Sequence, residues 1–223
     1  MDAETTRTLT IKHGVLLKND AQAAANRTRF AAQRLTVVNL LSSPGSGKTT
    51  LLERTLVDLG PRIPMAVIVG DLATDHDANR LGRTGVPVHQ ITTGTVCHLD
   101  AAMIARACDE LSVPDGTLLI IENVGNLVCP ASYDLGEAYR VVLMAVTEGE
   151  DKPAKYPKIF KTADLLLITK VDLTEAAGFD RPRALQTVHE VAPQAEVIEV
   201  SARSGVGLER WYQRLWEWCS DCG

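Results

Sequence analysis

A largely apolar run, Leu35–Leu41, leads straight into Ser42-Ser43-Pro44-Gly45-Ser46-Gly47-Lys48-Thr49-Thr50, and helical periodicity begins at Lys48. Few local patterns restrict a fold more. A strand that ends in small residues and re-enters a helix can aim successive backbone N–H groups at one anion, beside the positive end of that helix. Gly45, Ser46, Gly47, Lys48, Thr49 and Thr50 are therefore expected to hold a nucleotide. In this pattern Lys48 reaches the β- and γ-phosphates, and the Thr49 hydroxyl ligates magnesium. The first glycine of the usual G-x-x-x-x-G-K-[ST] string is Ser42 here, which alters how the chain enters the loop.

The rest of the chain repeats the same alternation. Leu35–Leu41, Met65–Val69, Val86–Ile91, Thr117–Ile121, Val141–Val146, Leu165–Thr169 and Glu196–Val200 read as strands. Lys48–Leu59, Ala73–Leu81, Leu99–Leu111, Pro182–Val191 and Leu208–Trp218 read as helices, and Asn19–Gln33 as an extra N-terminal helix outside the sheet. This predicts an α/β fold of the phosphate-loop NTPase type, a mostly parallel sheet with helices on both faces and ligands at the carboxyl ends of the strands. The expected division is an extension and helix over 1–34, one α/β nucleotide-binding domain with inserted segments over 35–218, and a C-x-x-C tail over 219–223.

A formal net charge of −5 over 223 residues argues against nucleic acid or an anionic membrane as partner. The longest apolar runs are too short to span a bilayer. Five cysteines without a leader-like segment do not read as a secreted disulfide framework, so a reduced, cytoplasmic setting is expected.

The sixth apolar run ends in Thr169-Lys170-Val171-Asp172. A carboxylate at Asp172 accepts from guanine N1–H and its exocyclic amine, whereas adenine would leave that carboxylate unpaired. The Lys170 stem would lie along the base. Ser201-Ala202 follow the next strand, where backbone amides contact guanine O6. GTP is thus the expected substrate.

Thr117–Ile121 runs into Glu122-Asn123-Val124-Gly125, and Met65–Val69 into Gly70-Asp71. Both strands end in a carboxylate suited to the magnesium side of a phosphate-loop site. The expected magnesium group is Thr49, Asp71 and Glu122; the expected catalytic group is Lys48, Asp71, Glu122 and Gly125, with Gly125 offering an N–H to the γ-phosphate. Asp75 and Asp77 read equally as helix-start residues or as switch residues. No glutamine or arginine stands out as a hydrolytic finger, so intrinsic hydrolysis is expected to be slow.

Cys97-His98 follows one strand end, and Cys129 lies seven residues beyond Glu122. Thiolate and imidazole suit zinc or nickel. Taken singly, each residue reads more readily as packing; together they offer three ligands and a metal reading that stands level with packing, and a two-fold dimer would supply the further ligands a closed site needs. Cys108 sits in a helical apolar pattern and reads as core. Cys219 and Cys222 form a terminal C-x-x-C of open role. Trp211, Trp216 and Trp218 read as packing anchors.

Ser43-Pro44-Gly45-Ser46-Gly47-Lys48-Thr49, Gly70-Asp71, Cys97-His98-Leu99-Asp100, Glu122-Asn123-Val124-Gly125-Asn126-Leu127 with Cys129-Pro130, and Glu148-Gly149-Glu150-Asp151-Lys152-Pro153 with Tyr156-Pro157 together resemble the hydrogenase nickel-incorporation GTPase family. The resemblance runs from about Asn19 to Trp216. It implies a cytoplasmic GTPase that dimerises with GTP and serves nickel insertion into nickel–iron hydrogenase, with the large-subunit precursor as client and a small zinc-containing nickel chaperone as partner. It implies Mg2+ at Thr49, Asp71 and Glu122, and nickel or zinc at Cys97, His98 and Cys129, shared between protomers. The chain lacks the N-terminal Cys-rich motif and the His-rich stretch of some members.

Two other readings compete. Urease-accessory GTPases share the loop and guanine elements, but usually carry Cys-Pro-His where Cys97 and His98 are adjacent here. A nucleotide-gated metal-binding module, with hydrolysis incidental, fits the same residues.

Overall fold

The computed structural model describes residues 3–221, with side chains from residue 14 onward. In chain order its elements are α1 (Ala3–Ala32), β1 (Thr36–Ser42), α2 (Lys48–Leu59), β2 (Met65–Asp71), α3 (His76–Gly82), β3 (Val88–Thr92), α4 (Ala101–Leu111), β4 (Leu118–Glu122), β5 (Tyr139–Ala145), α5 (Lys152–Lys155), α6 (Pro157–Phe160), β6 (Leu165–Thr169), α7 (Thr174–Ala177), α8 (Arg181–Val191), β7 (Glu196–Val200) and α9 (Leu208–Asp221). The strands form one seven-stranded sheet in the order β3-β2-β4-β1-β5-β6-β7. Every neighbouring pair is parallel.

All seven apolar runs form strands, with small shifts at their ends. β1, β4 and β6 are buried at every residue. That is why these strands read as continuous apolar runs and not as alternating ones: helices cover both faces of the sheet. On one face Val38, Leu40 and Val67 pack with Leu52 of α2 and Trp211 of α9. On the other, Leu119 packs with Phe30 of α1 and Ile104 of α4, while Leu166 packs with Phe160, Ala184 and Val188.

α1 is longer than the expected Asn19–Gln33 segment, and it packs outside the sheet against α4 as expected. Two buried amides fasten it. Asn26 Nδ2 donates to Ala101 O (2.8 Å) and Leu135 O (2.9 Å), and Asn19 Oδ1 accepts from Ala101 N (3.0 Å).

Several boundaries differ from the sequence reading for local reasons. The α3 helix begins at His76, not Ala73, because the N–H groups of Ala73 and Thr74 donate to Asp71 Oδ1 at 2.9 and 2.8 Å. At Asp100 the side chain accepts from Met103 N at 2.7 Å, so the expected Leu99 start moves to Ala101. Three short helices (α5, α6 and α7) went unforeseen, each being a single turn.

Trp211 is buried and its Nε1 donates to Thr55 Oγ1 at 3.0 Å, while Trp218 stacks on Tyr139. Trp216, expected to anchor too, is 40% exposed because it points off the solvent side of α9. Cys108 is core, and burial pushes its thiol up to about 11. Cys219 is half-buried on α9; Cys222 lies outside the described residues. Among the described residues no helix is long and apolar enough to cross a membrane.

In this sheet β4 and β5 flank β1; the connection from β1 runs to β2 on one side, whereas that from β5 runs to β6 on the other. Such a reversal opens a crevice at the carboxyl ends of the strands. The loop after β1 lies there.

Candidate functional site

The loop is shaped by its glycines and by hydrogen bonds from distant segments. Gly45 and Gly47 have φ of 76° and 89°, in the left-handed region where a side chain is strained. Thr169 Oγ1 donates to Ser46 O (2.7 Å), and Lys170 Nζ to Gly45 O (2.7 Å). Ser46 Oγ donates to Ser43 O (3.0 Å) and to Glu148 Oε2 (2.7 Å), and Lys152 Nζ to Ser43 Oγ (3.3 Å). Burial works to raise the Glu148 carboxyl, but hydrogen bonds from Ser43, Ala145 N–H and Ser46, and the Lys152 charge, hold it below its ordinary value. It therefore braces the loop as a carboxylate.

Lys48 is buried at the start of α2, and its Nζ donates to Ser42 Oγ at 2.8 Å. Ser42 thus fills the position of the missing glycine with a hydroxyl that satisfies the lysine. Burial lowers the Lys48 pKa, against the opposing charge of Glu122.

A cavity of about 470 Å³ opens above the loop, lined by Gly45, Gly47, Lys48, Thr49, Asp71, Asp77, Arg80, Glu122 and Gly125 among others. Thr49 Oγ1 donates to Glu122 Oε1 at 2.6 Å. Glu122 Oε2 is buried without a hydrogen-bond partner among the described residues, and burial pushes this carboxyl up to about 7. A carboxyl group beside a hydroxyl, with one oxygen unpaired, in the lining of a cavity is a donor set that fits a hard cation such as Mg2+ once ionised. Asp71 lines the same cavity; burial works to raise its carboxyl, but amide donors from Thr74 and Ala73 hold it low.

Gly125 sits against the loop: a Cβ there would meet Pro44 Cα at 3.0 Å and Pro44 N at 3.1 Å. The structure also brings Arg80 to the cavity, bound to Glu53 and with NH1 3.3 Å from Thr50 Oγ1. Sequence reasoning named no arginine here, because chain order does not encode its contacts with Glu53 and Thr50 of α2. Asp77 lines the cavity, whereas Asp75 is exposed and makes no cap hydrogen bond through its side chain.

A second cavity of about 220 Å³ adjoins the first through Gly47, Thr50 and Lys170. Its lining includes Thr169, Asp172, Leu173, Ser201, Ala202 and Arg203, so the residues expected around a guanine meet in one place.

Cys97, His98 and Cys129 also come together, with ligand atoms all within 4.8 Å of one another. The two sulfurs are 2.8 Å apart and the thiols are free; a disulfide would require about 2.05 Å. His98 stacks on Tyr133, ring centroids 3.8 Å apart, and its buried Nδ1 has no hydrogen-bond partner among the described residues. Burial lowers the His98 pKa, which favours the neutral, metal-binding imidazole. Asn126 ties the two segments, Nδ2 donating to Cys97 O (3.3 Å) and Oδ1 accepting from Val128 N (2.8 Å).

The Glu148 and Lys152 braces carried no chemical signal in the sequence beyond the family resemblance, since 102 residues separate Ser46 from Glu148.

Fold and site together define a protein of the phosphate-loop NTPase type that also carries a thiol–imidazole cluster at Cys97, His98 and Cys129. Residues 36–199 match the CobW/HypB/UreG nucleotide-binding domain. The chain is 55% identical over 205 residues to hydrogenase maturation factor HypB of Azotobacter chroococcum mcd 1, covering 92% of this chain and 67% of that protein. It is 52% identical over 209 residues to HypB of Escherichia coli strain K12, covering 94% and 72%. Among solved structures it resembles HypB from Helicobacter pylori in complex with nickel, with TM-score 0.85 and 43% identity over 92% of this chain and 96% of that one. HypB from Archaeoglobus fulgidus gives TM-score 0.85 and 40% identity over 91% and 99%. The chain belongs to the HypB family of hydrogenase maturation factors.

Proposed function

We propose that this chain is a GTP-hydrolysing metallochaperone whose nucleotide state controls a nickel- or zinc-binding site during hydrogenase maturation. The observation that carries the reading is one short segment. Gly125 lies against Pro44 of the phosphate loop, and four residues later Cys129 lies with Cys97 and His98. A γ-phosphate that engages Gly125 therefore pulls on a chain that ends at a metal ligand.

In this reading Gly45, Ser46, Gly47, Lys48, Thr49 and Thr50 cradle the phosphates, and Lys48 exchanges its Ser42 partner for phosphate oxygens. Asp172 accepts from guanine, with Lys170, Ser201 and Ala202 completing the base pocket. Mg2+, held by Thr49, Asp71 and Glu122, supplies charge neutralisation when bound. Water adds to the γ-phosphorus, the bond to the β–γ bridging oxygen breaks, and GDP and phosphate leave. Lys48 and the Gly125 N–H orient the phosphoryl oxygens, and Arg80 adds positive charge to the cavity wall.

Cys97, His98 and Cys129 hold the cargo ion. Three ligands leave a tetrahedral ion unsaturated, which favours sharing across a GTP-promoted homodimer. Relatives named as hydrogenase maturation factors support a hydrogenase as client; a nickel–iron large-subunit precursor, a small zinc-containing nickel chaperone and a cytoplasmic setting extend that reading through the family resemblance of the sequence. Nickel in the H. pylori structure supports the choice of ion.

The test is single-turnover phosphate release followed beside nickel transfer to a chelator. Hydrolysis and transfer should rise together, and a non-hydrolysable GTP analogue should stall transfer. Transfer at full rate with the analogue would reject a hydrolytic cycle and leave a gated binding module.

A further inference from the structure

Asn39 occupies the middle of β1 and is completely buried, in line with apolar Val37 and Leu41 on the same face. An amide in such a layer persists only when both of its ends are hydrogen-bonded. Its Oδ1 accepts from Asn123 Nδ2 at 3.2 Å, and its Nδ2 donates to Glu137 Oε1 at 3.1 Å. Glu137, itself buried, also takes Arg140 Nε on Oε1 at 2.6 Å and Leu135 N on Oε2 at 2.7 Å. Arg140 NH2 donates onward to Tyr133 O at 2.8 Å, and the Tyr133 ring lies on His98.

The other end is equally well fixed. Asn123 donates its N–H to Leu40 O at 3.0 Å, and its Oδ1 accepts from Val124 N at 3.0 Å, directly ahead of Gly125. Asn123 also follows Glu122, the carboxylate bound to Thr49. A continuous chain of contacts, buried at Asn123, Asn39 and Glu137 and half-buried at Arg140 and Tyr133, therefore joins the loop that faces the phosphates to the imidazole of the metal cluster. It is separate from the covalent route through Asn126, which arrives at Cys129.

We infer that Asn39, Glu137 and Arg140 are positioning residues that make metal affinity depend on nucleotide state. A shift of Asn123 and Gly125 cannot leave Asn39 half-satisfied in an apolar layer, so the partners move together. Tyr133 is carried with them, and it sets the His98 ring over the two thiols. This inference rests on the nucleotide-gated reading above, and adds that gating runs through this chain of contacts as well as through the loop.

The test measures the Ni2+ dissociation constant of the full chain with GDP and with a non-hydrolysable GTP analogue, by chelator competition, and takes their ratio. Coupling factors between sites run from about 5 to 150. The wild type should fall within that range. Arg140→Lys keeps the charge beside Glu137 but loses the fork that spans to Tyr133 O; Asn39→Leu removes the amide at similar volume. Both should bring the ratio toward one while still binding nucleotide. Tyr133→Phe keeps the ring and the carbonyl and should retain the wild-type ratio.

A wild-type ratio in Arg140→Lys overturns the inference, as does equal weakening of Ni2+ binding with both nucleotides, which marks a purely structural role. Where Asn39→Leu fails to fold, the half-buried Arg140 carries the test. A ratio of one in the wild type rejects the gating reading itself, and is told apart because it appears before any substitution.

Discussion

The Thr49 hydroxyl donates to Glu122 Oε1 at 2.6 Å, across 73 residues of sequence, in the lining of the cavity above the loop. The pair joins the first turn of α2 to the end of β4, and leaves Glu122 Oε2 buried and unpaired. An unpaired buried carboxylate is costly in its charged form, and this sets the first prediction.

Burial raises Glu122 from an ordinary value of 4.5 to about 7. In the ligand-free fold the neutral acid is favoured, so the folded chain binds more protons than the unfolded chain between these values. This contribution to stability is full below 4.5 and is lost as pH rises through 7. Relative to Glu122→Gln, the ligand-free wild type should lose about 1–3 kcal/mol between pH 5 and pH 8. Urea unfolding midpoints of the two proteins check it. Parallel pH profiles would contradict it.

Lys48 is satisfied by Ser42 at 2.8 Å, so the cavity has its cation prepositioned. Lys48→Met keeps the aliphatic stem and removes the charge. Binding of a fluorescent GDP or GTP derivative should weaken by roughly 100-fold, or about 2.7 kcal/mol, with the melting temperature of the ligand-free chain little changed. Retained affinity would move the phosphates away from this loop.

Asp172 lines the second cavity and is the proposed guanine-selective group. Asp172→Asn replaces an acceptor pair with a mixed donor and acceptor, which suits xanthine and mismatches guanine. Competition binding should show GTP weakened by about 10²-fold or more and XTP strengthened, since a polar mismatch in a recognition site is heavily penalised. Unchanged GTP affinity would sink the guanine assignment.

Cys97 and Cys129 hold their sulfurs 2.8 Å apart beside His98. Cys97→Ala should abolish tight Ni2+ or Zn2+ binding while leaving GDP affinity as it is, because Cys97 lines neither of the two cavities proposed to hold the nucleotide. Isothermal titration with each ligand separates the two effects.

Much of this was legible in the sequence because the signals are local. Seven apolar runs mark seven strands, since buried parallel strands need no alternation, and the loop declares itself in consecutive residues. That Lys170, Asp172, Ser201 and Ala202 meet at one cavity, and Cys97, His98 and Cys129 at one cluster, was legible as short strings at strand ends, where a parallel sheet gathers them. What escaped depends on contacts that chain order does not encode. Glu148 reaches Ser46, and Asn39 links Asn123 to Glu137, only after the sheet places β1 between β4 and β5. Arg80 reaches the cavity through its contacts with Glu53 and Thr50 of α2, which chain order does not encode, and the Asp71 hydrogen bonds to the Ala73 and Thr74 N–H groups displaced the expected start of α3. The exposed Trp216 fits the apolar stripe of α9 by composition but not by angle, lying between the buried Leu215 and Trp218.

The central claim is that nucleotide state governs a metal site completed between two chains. Metal stoichiometry measured by sedimentation with GDP and with a GTP analogue tests it most directly. The account predicts one Ni2+ or Zn2+ ion per two chains in a dimer with the analogue, weaker binding with GDP, and loss of the ion in Cys97→Ala. Identical stoichiometry and affinity with both nucleotides, on a monomer, would contradict it.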